Sequence, residues 1–162
     1  MYLLPRKRET IVLPFPAQEV YERIWKSVKP VKEGILIFDE PDQQFLFNGW
    51  VKKDKFSISL KVVRPQNFLP IIVGNIEETS TGSIIFVTYR MFPTSFAFLM
   101  FWSVITLLMA IFFGYIERYV FTGISIALGI SNYAVAVANF KIQVRRSSRV
   151  LRSLFYKIDQ YS

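Results

Sequence analysis

Up to about Phe92, apolar and polar residues of this chain mostly alternate, the period of half-buried strands. "RETIVLPF" (8–15) predicts a first strand. "GILIFDE" (34–40), "QQFLFNGWV" (43–51), "KFSISLKVV" (55–63), "PIIVGNIEE" (70–78) and "SIIFVTYRMF" (83–92) predict five more. One segment breaks the alternation. In "PAQEVYERIWKSV" (16–28), Val20, Tyr21, Ile24 and Val28 recur at helical spacing, with Pro16 and Glu19 suited to the first turn and Lys29-Pro30 suited to the end. Turns fall at Glu40-Pro41-Asp42, Lys52-Lys53-Asp54 and Ser80-Thr81-Gly82. Asn48-Gly49 is a rival hairpin turn, but the Lys-Lys-Asp turn leaves strands of more equal length. Residues 1–93 are thus expected to form an α+β domain, an antiparallel sheet of about six strands with one helix.

Beyond Phe92 the period changes. Residues 96–116 and 119–140 carry no charge, and only Glu117 and Arg118 separate them. At the helical rise each run spans roughly 31–33 Å, enough for a hydrocarbon core of about 30 Å. In lipid the backbone must satisfy itself within the segment, so two helices are expected. Pro93 and Thr94-Ser95 supply a start, with Ser95 as N-cap. A single helix through Glu117 and Arg118 would be far longer than a bilayer needs. Those two residues are therefore expected to form the turn of a transmembrane hairpin over 94–140. Small residues recur four apart in the second helix (Gly123 and Ala127, Ser125 and Gly129, Ala134 and Ala138), a spacing that lets helix backbones approach. Asn132, near mid-span, is expected to bond across to Thr106 or Ser103, or to another copy.

The tail, 141–162, is basic and amphipathic. Val150, Leu151, Leu154, Phe155 and Ile158 make one stripe, with Arg145, Arg149 and Arg152 on the other side. Two placements are open: the helix lies on anionic lipid, or it covers the sheet. In the second case the hairpin is an insertion between the last strand and last helix of a domain similar to the helix-grip, START-like group, which encloses apolar ligands.

Charge sharpens the topology. Of the formal +8, most sits beside the apolar block, and six basic residues of the tail face only Asp159. Lys141, Arg145, Arg146, Arg149 and Arg152 are expected to meet anionic headgroups, with both termini cytoplasmic and the turn outside. Arg6-Lys7-Arg8 has the same expected partner, in preference to nucleic acid. The chain has no histidine and no cysteine, which removes the commonest general base, thiolate chemistry and cysteine-based metal sites. Asp39, Glu40 and Asp42 lack the ligand spacing of a calcium loop, and alternation sends Glu77 and Glu78 to opposite faces. No phosphate loop or nucleophile elbow is present, so neither catalysis nor a cofactor is expected. Phe45, Phe47, Trp50 and Phe56 are either the lining of an apolar cavity or ordinary sheet core.

Asn67-Phe68-Leu69-Pro70, Gly74, Gly82, Phe92-Pro93 and "NFKIQVRRSSRVLRSLF" (139–155) resemble an uncharacterised family of small bacterial membrane proteins. Its members pair an "NSFLP" motif and a Gly-containing strand with a helical hairpin and a Phe- and basic-rich tail. The resemblance covers about residues 44–156; this chain lacks the Ser of the motif, and has Ser83 after Gly82 and Met91 where a His is common. It implies the architecture and a two-pass place in the bacterial cytoplasmic membrane, and carries no activity. The expected role is a membrane-anchored, non-enzymatic module binding a protein partner or an apolar or lipid ligand. The alternative is an oligomeric channel-forming or membrane-perturbing protein gated by its soluble domain.

Overall fold

A computed structural model describes residues 6–30, 45–62 and 68–156. Its elements run β1 (Arg6–Leu13), α1 (Ala17–Ser27), β2 (Val28–Pro30), β3 (Phe47–Val51), β4 (Lys55–Leu60), β5 (Pro70–Thr79), β6 (Gly82–Met91), α2 (Pro93–Tyr115) and α3 (Tyr119–Tyr156). The strands form one six-stranded sheet in the order β1-β6-β5-β4-β3-β2. The strand number agrees with the sequence reading, but the sheet is mixed. β2 runs parallel to β3, with Val28 opposite Phe47, whereas the other neighbours are antiparallel. Parallel pairing follows from the chain path: α1 carries the chain across the sheet from β1, and β2 starts directly at the helix end. The strand expected over 34–40 and its Glu40-Pro41-Asp42 turn lie outside the described residues.

Side chains on one face of the sheet are sealed. Ile11 and Leu13 of β1, Ile85, Val87 and Tyr89 of β6, Ile72 and Ile76 of β5, Phe56 and Ile58 of β4 and Phe47 of β3 are all buried. Gly74 is where Phe56 needs space, since a Cβ there would lie 2.1 Å from the Phe56 ring. On the opposite face Val12 and Phe86 stay exposed. The Lys52–Asp54 turn joins β3 to β4, closed by Lys52 N–H donating to the Lys55 carbonyl at 2.7 Å. The rival Asn48-Gly49 instead lies within β3, opposite Ser59 and Ile58.

Two helices cover the sealed face. α1 buries Val20 and Ile24 there. The C-terminal half of α3 buries Phe140, Val144, Ser147, Ser148, Leu151 and Phe155, a helical-period stripe against β5 and α1. The tail thus covers the sheet. It is also continuous with the second apolar helix: α3 runs unbroken for 38 residues, so the expected junction at 140/141 is no structural boundary.

The other half of α3 pairs with α2. Pro93 occupies the first helical position, its missing N–H costing nothing there, and Phe92 is the N-cap in place of the expected Ser95. α2 ends in a turn bonded by Glu117 N–H to the Gly114 carbonyl and Arg118 N–H to the Phe113 carbonyl, with Glu117 left-handed at φ 56°. That is a Schellman cap with Glu in the position glycine favours. Arg118 then caps α3, its carbonyl accepting from Phe121 and Thr122 N–H. Glu117 and Arg118 are therefore a hairpin turn. Both helices are long and apolar enough to cross a membrane.

Candidate functional site

Two polar features lie where α3 meets the first strand. The first is built on Glu9, which shares the inward face of β1 with Ile11 and Leu13. A carboxylate on a core face needs donors. Ser148 Oγ donates to Glu9 Oε2 at 2.9 Å, Tyr89 Oη donates to the same oxygen at 3.3 Å, and Arg152 Nε donates to Oε1 at 2.7 Å. A second Arg152 nitrogen also reaches Oε1, and Lys7 Nζ stands 3.7 Å from Oε2. Burial alone would raise the Glu9 carboxyl. The hydrogen bonds from Arg152 and Ser148, with the charges of Arg152 and Lys7, outweigh it and hold the group below its ordinary range. Burial pushes the Tyr89 hydroxyl up to about 12, so it remains a donor. Glu9 also raises Arg152, which stays charged. Since the carboxylate is ionised and surrounded by donors, the cluster acts as a fastening between the first strand and the last helix.

The second feature is a partly enclosed cavity of about 300 Å³. Arg6, Lys7 and Lys141 line it together with Tyr133, and Val137, Phe140 and Val144 form its apolar wall. The register explains its place. Arg6 pairs with Arg90, close to where β6 ends and α2 begins, so the first residues of β1 stand at the end of the sheet from which the hairpin leaves. Lys7 belongs to both features, since it also lies over the Tyr89 ring, 5.9 Å from its centre. Among the described residues neither Arg6 nor Lys141 has a carboxylate partner.

The residues singled out from sequence fall in several places. Phe47 and Phe56 are fully buried core, Trp50 is half-buried on the other face beside Lys52, and Phe45 precedes β3, so the four do not line one cavity. Gly129 meets Thr106, since a Cβ there would lie 3.0 Å from Oγ1, whereas Gly123 has open space and Ala127 is exposed. The expected bond from Asn132 to Thr106 or Ser103 is not made. Both hydroxyls donate to carbonyls of their own helix, and the Asn132 amide nitrogen has no partner among the described residues. Lys141 lines the cavity, Arg152 reaches Glu9, and Arg145, Arg146 and Arg149 are exposed along α3. The acidic Asp39, Glu40 and Asp42 lie outside the described residues. No group of three or more acidic side chains suited to a metal occurs among those described.

Glu9, Tyr89, Ser148 and Tyr133 were missed. One signal for Glu9 was present: alternation puts it on the face of Ile11 and Leu13, where a charge calls for an opposite charge from elsewhere in the chain.

No family model matches the chain, and no curated protein matches it. A solved structure to which it is similar is the solution NMR structure of the Polyketide_cyc-like protein Cgl2372 from Corynebacterium glutamicum. The two are 11% identical over 85% of this chain and 90% of that chain, with a TM-score of 0.28, too loose a match to carry any argument.

Proposed function

We propose that this chain is a membrane-anchored, non-enzymatic binding module, two-pass in the bacterial cytoplasmic membrane with both termini cytoplasmic. The observation that carries the reading is the outer surface of the hairpin. Phe101, Leu107, Ile111, Phe112, Val120 and Ile130 are each at least half exposed, an apolar coat in water but an ordinary one in lipid. The next turns of α3 expose Lys141, Arg145, Arg146 and Arg149 instead, as cytoplasmic flanks do. The donor-saturated Glu9 and the absence of histidine and cysteine from the sequence support a binding role over a catalytic one. The sheet's inner face is filled by Tyr89, Phe47 and Phe56, so the partner or lipid ligand is expected at the membrane-proximal junction.

The chain lacks cysteine, which makes the topology testable. Glu117→Cys is expected to react with a membrane-impermeant thiol reagent added to spheroplasts, and Ser153→Cys to stay unreactive until the membrane is opened. The reverse pattern overturns the proposal. An outward row of small residues on α3 (Gly123, Ala127, Ala134 and Ala138, all exposed) favours a second reading, the oligomeric channel-forming protein. Particle mass in nanodiscs separates the two: one or two copies support the anchor, and a closed ring of many copies supports the channel.

A further inference from the structure

We infer that the cavity between the start of β1 and α3 binds the phosphate and glycerol region of one anionic phospholipid from the leaflet facing the domain. The inference rests on the two-pass reading and gives its ligand a chemistry and a place. Arg6, Lys7 and Lys141 line the cavity, and among the described residues only Lys7 of the three has a carboxylate nearby. That leaves Arg6 and Lys141 to meet an anion, and a guanidinium fork suits phosphate oxygens. The remaining wall is of another kind. Val137, Phe140 and Val144 are apolar, which a free inorganic anion would not use and the first methylenes of an acyl chain would.

Position and size agree with this assignment. From Lys141 back to Tyr133 α3 descends about 12 Å toward the hairpin turn, from the level of the Pro93 start of α2 into the apolar span. Along α3 Phe140 lies level with Lys141, Val137 about 6 Å deeper toward the apolar span and Val144 about 4.5 Å above. An acyl chain running down from the cations therefore meets Phe140 and Val137, while Val144 closes the cavity on the far side. A volume of about 300 Å³ admits the phosphoglycerol and the upper chain, leaving the rest of the acyl tails in the bilayer. The far tail arginines are set apart by the same geometry. Arg149 is about 12 Å further along α3 from Lys141, on the side away from the hairpin and beyond one Debye length of about 8 Å. The headgroup role expected of the whole tail therefore contracts to its hairpin-proximal end, where Lys141 lines the cavity with two residues of β1.

The test uses the full chain in a mild detergent, with native mass spectrometry as the readout and short-chain phosphatidylglycerol as the probe. One bound phosphatidylglycerol is expected, with phosphatidylcholine of equal chain length held much more weakly. Arg6→Gln with Lys141→Gln should weaken binding by about 25-fold, roughly fivefold per charge. Arg149→Gln should change it less than twofold, and Arg6→Lys with Lys141→Arg should restore it if the fold is intact. A loss at Arg149 equal to the roughly fivefold expected per charge at Arg6 and Lys141 would make the attraction a diffuse surface effect and overturn the site. So would phosphatidylcholine binding as tightly, or displacement of the lipid by millimolar inorganic phosphate. Alkaline carbonate extraction separates this from the anchor reading. A chain that stays in the membrane yet retains no lipid loses only the pocket; a chain that is extracted loses the anchor and the pocket together.

Discussion

The two halves of α3 are one helix with two surfaces. Facing inward, both use small or apolar residues at helical spacing: Ser125, Gly129 and Ala136 toward α2, then Phe140, Val144, Leu151 and Phe155 toward the sheet. Facing outward they differ in charge, although Ile142 and Tyr156 of the second half are also exposed. The first half shows Val120, Ile124, Leu128 and Ile130, the second Lys141, Arg145, Arg149 and Arg152. The packed side records only that a neighbour exists; the unpacked side carries the change from apolar to charged that a passage from lipid to water would call for.

That contrast can be broken at graded cost. The largest effect is expected where α3 seals the sheet. Leu151→Ala removes a fully buried side chain and should destabilise the domain by about 3 kcal/mol, whereas Ile126→Ala on the outward hairpin face should leave its melting in detergent unchanged. Gly129→Leu forces a side chain between the helices at the Thr106 contact and should cost about 2 kcal/mol in a reversible detergent-unfolding assay. Gly123→Leu, which meets open space, should cost almost nothing in that assay. Equal effects at the two glycines would mean that the hairpin has no defined inside.

Glu9→Gln comes next, at about 1.5 kcal/mol, because amide hydrogen bonds replace charged ones while the exposed Arg152 is re-solvated. It carries a pH signature. The Glu9 carboxyl is held below its ordinary value of 4.5, so its contribution is complete above that value and is lost as pH falls through the lowered one. Acid titration of domain stability should show that loss in the wild type and not in the Gln variant. The smallest effect has the opposite sign: Glu117→Gly relieves a left-handed residue in the Schellman turn and should stabilise the hairpin by about 1 kcal/mol.

What could be read in advance divides along the same line. Alternation located β5 and β6 within one residue and the start of β4 at Lys55, though β4 ends at Leu60, three residues before the expected 63. The hairpin was legible from the absence of charge, and its turn from the one place where charge returns. β2 was not, since three residues ending in Lys29-Pro30 show no period and owe their pairing to β3. The continuity of α3 was hidden by a change of composition, which altered the outward residues at Lys141 and left the helix itself unaltered. Glu9 and the cavity were harder still. Their members stand up to 143 residues apart in the chain, and no local pattern ties a strand carboxylate to a distant serine and arginine.

Between Ile130 and Tyr156 α3 contains no glycine, no proline and no interruption. A helix of that kind transmits phase. One residue inserted at 140 would turn everything beyond it by about 100° and advance it about 1.5 Å, carrying Ser148 and Arg152 away from Glu9 while leaving every residue present. The hairpin and the sheet are therefore geared to each other, tooth by tooth, through a shaft with no joint. Their separation along the chain can change only by near-whole turns, in steps of three or four residues, or seven.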